Sequence, residues 1–182
     1  MKGLILSVVL LLLLAGSETS MAQEKSAAAG ATEKLGILAG RWQVQGTNNA
    51  SGSILGGKTN ATMECRWAPQ GHDYMVCELA VEGPTGTHRQ LSIYSYNAKE
   101  GSYSVVAIPV PGGKPSSGNT LTIAGNVWTI STTIQNVGKP RQVRTTTEYV
   151  DANTAKQKTE ISDDGGGHWT LLVQAMERKT AD

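Results

Sequence analysis

The chain has 182 residues, a formal net charge of +1 and 17% charged residues, a near-neutral balance that argues against a nucleic-acid or anionic-membrane footprint. Its 21 glycines, abundant Thr and Val, and lack of phenylalanine favour turns and strands over helices. Two cysteines are too few for a disulfide-dense scaffold and point to one structural bond in an exported chain.

The N-terminus opens with Lys2, an apolar run from Leu4 to Ala15 and a polar stretch ending Ser20-Met21-Ala22. That is the layout of a secretory signal, so 1–22 is expected to be removed, leaving Gln23 first in a secreted or periplasmic protein. The run is shorter than the about 20 apolar residues a membrane span needs, so no stable membrane insertion is expected after cleavage. The remaining chain of about 160 residues suits one domain, expected over 32–182 after a flexible tail at 23–31.

Thr32 is placed to cap a short helix from Glu33 to Leu38 that buries Leu35 and Leu38. Gly40-Arg41-Trp42 leads into a strand at Gln43 to Gly46. The polar stretch Thr47 to Thr59 holds two adjacent aliphatics, Ile54 and Leu55, which either tuck onto the body or lie over a pocket mouth.

Period-2 reading of Ala61 to Trp67 puts Met63, Cys65 and Trp67 on one face. If the chain folds back about Gly71, Met63 faces Leu79, Cys65 faces Cys77 and Trp67 faces Met75, all on the same side. A one-residue slip would put the cysteines on opposite faces, so cysteine pairing and apolar pattern support one register. A redox or metal-binding role for the pair lacks the short spacing and extra ligands of such sites.

Strands are expected next at His88 to Tyr96 and Tyr103 to Ile108, then a long loop from Pro109 to Gly118. Leu121 to Ala124 and Val127 to Ile134 flank the hairpin signal Gly125-Asn126. Thr-rich strands at 141–150 and 155–161 surround a turn at Asp151 to Thr154, and the last strand spans Trp169 to Arg178. About ten short strands joined by hairpin-length turns, with no internal repeat, favour an all-β, closed, up-and-down antiparallel barrel wide enough for an interior cavity. An open sandwich is the alternative.

Leu35 to Trp42, with Glu177-Arg178 at the end of the last strand, resembles the lipocalin-like (calycin) pattern. That resemblance implies that Trp42 plugs one end of the barrel and Arg178 stacks over its ring. The wider set Leu38 to Trp42, Cys65-Arg-Trp67 with Cys77, Tyr94 to Asn97, and Ser162 to Trp169 is similar to the exported bacterial family catalogued as domain of unknown function 1579. This likeness implies the same barrel over roughly 35–178 and no particular activity. Ser162, Asp164, Gly166, His168 and Trp169 also resemble one Asp-box hairpin of the sialidases; with a single copy and no committed carboxylate pair, the stretch reads as a turn.

Three functional classes follow. A barrel binder would hold a small, mostly apolar molecule against Met63, Trp67, Met75 and Leu79, with Ile54 and Leu55 at the mouth, although the same face could be a filled core. An enzyme, an isomerase or hydrolase, would need Arg144, Glu148 and Glu160 turned into the cavity, against exposed strand charges as the simpler account. An envelope structural or stress protein would need no ligand. No catalytic residue, metal or cofactor is assigned: His72, His88 and His168 sit beside turns without convergent spacing, and haem would require His88 or His168 to project inward.

Overall fold

In the computed structural model the described residues are 26–50, 56–116, 118–135 and 139–181; residues 1–22, expected to be a signal, and the aliphatic pair Ile54 and Leu55 lie outside them. Ten strands run in chain order: β1 Gly40–Asn48, β2 Gly57–Trp67, β3 Tyr74–Gly83, β4 Gly86–Asn97, β5 Ser102–Val110, β6 Thr120–Ala124, β7 Val127–Gln135, β8 Pro140–Asp151, β9 Thr154–Ser162 and β10 Thr170–Thr180. Each pairs antiparallel with its sequence neighbours, and β1 pairs with β10, so the sheet closes. Closure removes both edges of the sheet, and the open sandwich is set aside.

The cysteine hairpin has the register its apolar pattern demands. Met63 pairs with Leu79, Cys65 with Cys77 and Trp67 with Met75, and Cys65 and Cys77 form a disulfide. The turn signals also hold. Ala124 pairs with Val127 across Gly125-Asn126, where Gly125 takes φ 61°, a left-handed conformation that glycine adopts without a Cβ clash.

The barrel's two ends differ. At one end the N-terminal segment packs under the strands and buries Leu35 and Leu38 with Trp42, Met75 and Cys77. Helix begins earlier than the sequence suggests: an α-helical stretch covers 26–33 and continues as a 3-10 turn at Lys34–Leu38. Residues 26–31 are therefore helical rather than a loose tail. Thr32 lies inside the helix and donates its hydroxyl to the Ala28 carbonyl at 3.0 Å instead of capping. Tyr103 donates its hydroxyl to the Ala31 carbonyl at 2.8 Å, tying this segment to β5.

Trp42 is fully buried at this closed end and donates its indole N–H to the Leu38 carbonyl at 2.8 Å. The cation over its ring is Lys179, whose Nζ lies 4.9 Å from the ring centroid; Arg178 is exposed and pairs along the ladder with Gln43. The correction follows from pleating: Trp42 and Lys179 are direct partners between β1 and β10, so they share a face, while Arg178 points to the other one.

The ladder is uneven around the circumference. β4 and β5 share nine residue pairs, whereas β5 and β6 share two, Tyr103 with Leu121 and Ser104 with Thr120. Beyond that point the chain before β6 holds to β5 through Ser116, whose N–H donates to the Ala107 carbonyl at 2.7 Å and whose hydroxyl accepts from the Ala107 N–H at 2.9 Å.

Candidate functional site

The barrel encloses a cavity of about 540 Å³. Its wall is largely apolar, with Val44, Met63, Leu79, Val105, Leu121 and Ile130 among the inward side chains. Period-2 alternation in antiparallel strands produces this lining, because every second residue of each strand faces in.

Of the residues expected to contact a ligand, Met63 and Leu79 line the cavity. Met75 and Trp67 do not. Met75 lies on the same inward face but near the closed end, where it is fully buried in the packed core. Trp67 is further along, at the last position of β2, stacked on His72 with ring centroids 4.7 Å apart. A face continuous along the strand thus divides into a filled plug and an open chamber. Cys77 marks the boundary, since it belongs to the buried core and also lines the cavity.

Three pairs of polar wall residues bond to one another. Thr145 and Thr159 share a hydroxyl–hydroxyl bond at 3.0 Å. Gln90 donates to Ser92 at 2.9 Å, and Thr59 donates to Asn48 at 2.9 Å. Toward the closed end stand Glu177 of β10, Tyr94 of β4 and Tyr149 of β8, all lining the cavity. Glu177 is only 4% exposed. Among the described residues no hydrogen bond uses its carboxyl or either tyrosine hydroxyl, and no side-chain polar atom is sealed away without a partner. These groups therefore present their polar atoms to the cavity.

Burial disfavours the charged carboxylate and pushes the Glu177 pKa up to about 7. Tyr94 is pushed up to about 12, first by burial and then by the Glu177 charge. Burial raises Tyr149 further, with Glu177 and then Tyr94 adding to the effect. The Tyr149 ring packs edge-to-face against Trp128 at 5.2 Å and Trp42 at 6.2 Å between centroids, so the carboxyl stands in an aromatic setting.

The charged groups considered for an enzyme lie outside. Arg144 donates from Nε to Glu160 Oε2 at 2.8 Å, and its guanidinium covers the Trp169 ring at 4.0 Å. Lys158 Nζ is 3.4 Å from the same carboxylate. Glu160 is held below its ordinary pKa, chiefly by the Arg144 hydrogen bond, the reverse of what a proton-transferring acid needs. Glu148 lines a separate, solvent-open depression on the outer wall with Lys156 and Lys158.

None of the three histidines lines the cavity. His72 stacks on Trp67, His88 bonds Thr85 at 2.9 Å, and His168 bonds Asp164 at 2.5 Å on an exposed turn. Neither His88 nor His168 is thus placed as an internal iron ligand. The turn itself is built as its sequence suggests. Ser162 donates to Asp164 at 2.7 Å, Asp164 accepts from the His168 N–H at 2.9 Å, and Trp169 donates to the Gly166 carbonyl at 3.0 Å. Those bonds hold Asp164 well below the usual carboxylate range.

Glu177 was not among the sequence candidates. Its signal is the alternation Val173, Ala175, Glu177 on one face of β10, but a bulge between Leu171 and Val173 breaks the period and conceals which face is inward.

No family model and no curated protein matches the chain. Among solved structures it is similar to Rv2717c from M. tuberculosis, at 11% identity and a TM-score of 0.56, over 83% of this chain and 98% of that one. It also resembles EF1p2_mFAP2b, solved bound to DFHBI, at 10% identity over 82% of this chain and 98% of that one, with a TM-score of 0.43 that is too low to bear on this protein. The first likeness speaks to architecture alone: the chain has the closed, ten-stranded antiparallel barrel its strands predict.

Proposed function

We propose that the protein is an exported barrel that binds a small, mostly apolar molecule in its interior. The observation that carries this reading is the interior chamber of about 540 Å³, largely apolar along its walls, with Glu177, Tyr94 and Tyr149 converging at one end. A barrel serving only as a scaffold would gain by filling that space, since packed interiors hold few voids larger than a water molecule. Export is supported by the signal-like N-terminus and by a disulfide, which persists in oxidising compartments. Among the described residues no helix is long and apolar enough to cross a membrane. Membership of the exported family resembled by the motifs is part of the same proposal.

Native mass spectrometry of the protein isolated from its own host tests the reading: a retained small molecule is expected, lost in a Leu79→Trp variant that fills the chamber. Empty protein from the host, together with no thermal shift across a broad lipid and metabolite panel, would count decisively against it.

A further inference from the structure

Resting on the reading of the chamber as a binding site, we infer that its ligand is a lipophilic amine, whose apolar body fills the barrel and whose protonated nitrogen sits against the Glu177 carboxylate. The charge inventory of the wall points this way. Among the described lining residues there is no lysine, arginine or histidine, and Glu177 is the one acid. Glu177 is 4% exposed and has no cationic partner there. A buried carboxylate without a counter-ion is costly to the fold, and a ligand cation removes that cost on binding.

The surroundings suit a cation as well. Trp128 and Tyr149 line the same part of the chamber with ring centroids 5.2 Å apart, and such π faces attract an alkylammonium. Tyr94 and Tyr149 each add a hydroxyl that can accept from an N–H. From the strands packed around Glu177 these two tyrosines are the titratable groups that share its chamber. On its own strand the nearest cations are Arg178, which is exposed on the opposite face, and Lys179, whose ammonium is engaged by the Trp42 ring. A fatty-acid anion would meet like charge and no compensating base, so the wall selects against the cargo that barrels with an internal arginine would favour.

Three ten-carbon probes differing only in the head group make the test: decylamine, decanol and decanoic acid, titrated calorimetrically into the signal-free protein at pH 8. Decylamine is expected to bind about tenfold tighter than decanol, as a charge-assisted hydrogen bond implies, and decanoate more weakly than either. In Glu177→Gln the amine should fall to the level of the alcohol while decanol binding persists, which also shows that the variant is folded. A second measurement needs no variant: at pH 5.5 the amine stays protonated while Glu177 is neutral, and the preference for amine over alcohol should vanish. Equal binding of amine and alcohol at pH 8, or a preference unchanged at pH 5.5 or in Glu177→Gln, overturns the amine assignment and leaves the binding reading standing. Failure of all three probes to bind overturns both.

Discussion

Cys65 and Cys77 are direct cross-strand partners with Cα atoms 4.0 Å apart, and their bond lies on the inward face where the packed plug meets the open chamber. The bridge closes a loop with a sequence separation of 12, so the chain-entropy account assigns it about 3 kcal/mol. Replacing both cysteines with alanine should lower the unfolding free energy by about that amount, read from urea melts in which the m-value of the variant, its unfolded chain now less constrained, is fitted independently. A loss below about 0.5 kcal/mol would show that the interlocking hairpin is sufficient without the bond.

The Lys179–Trp42 contact predicts a smaller effect. Lys179→Met keeps the stem that covers Gly40 and removes the charge over the ring, so about 0.5–1 kcal/mol should be lost. Arg178→Met should leave stability within experimental error, because that side chain is exposed. Paired thermal melts of the two variants decide whether the residue facing the ring is the one that matters.

Acidity should act on stability through Glu177. Its ordinary pKa is 4.5 and in the folded barrel it is about 7. Between those values the folded protein holds a proton that the unfolded chain has released, so stability falls as pH rises from about 4.5 to about 7 and levels off above that. A shift of this size corresponds to at most roughly 3 kcal/mol. Glu177→Gln should flatten this part of the profile. A wild-type profile that rises across the same window would show the carboxyl ionised within the fold.

Close approach of β1 and β10 gives a fourth expectation. A Cβ on Gly46 would meet the Ala175 Cβ and the Gln174 carbonyl at 2.9 Å each, and backbone at that distance yields little. Gly46→Ala should destabilise by about 1–3 kcal/mol, whereas Gly30→Ala, in the 26–33 helix with open space around it, should cost nothing. Equal losses at the two sites would mean that strand spacing relaxes freely.

Much of the architecture was legible because β-structure encodes itself every second residue. The register of Met63, Cys65 and Trp67 against Leu79, Cys77 and Met75, and the Gly125-Asn126 turn, follow from local pattern alone. Depth along the barrel is different information. Nothing in the alternation says that Met63 opens onto space while Met75 is packed, since that depends on how far the 26–38 helical segment penetrates and which side chains meet it. The lipocalin-like resemblance put Arg178 over the Trp42 ring where Lys179 stands, and a one-residue offset between strands is invisible without the ladder. Glu177 escaped because a charged residue near a strand's end reads as exposed until the strand's inward face is known. The outward placement of Arg144 and Glu160 likewise had to come from three dimensions, as β8 and β9 carry threonine on both faces.

The two-pair junction between β5 and β6 gives this cylinder one thin stave. Every other junction among the described strands pairs five or more residues, whereas here two pairs and the Ser116 bonds to Ala107 hold. This seam is where the cylinder should open first, so amides flanking Tyr103, Ala107 and Leu121 should trade their hydrogens for deuterium sooner than their neighbours across β8 and β9.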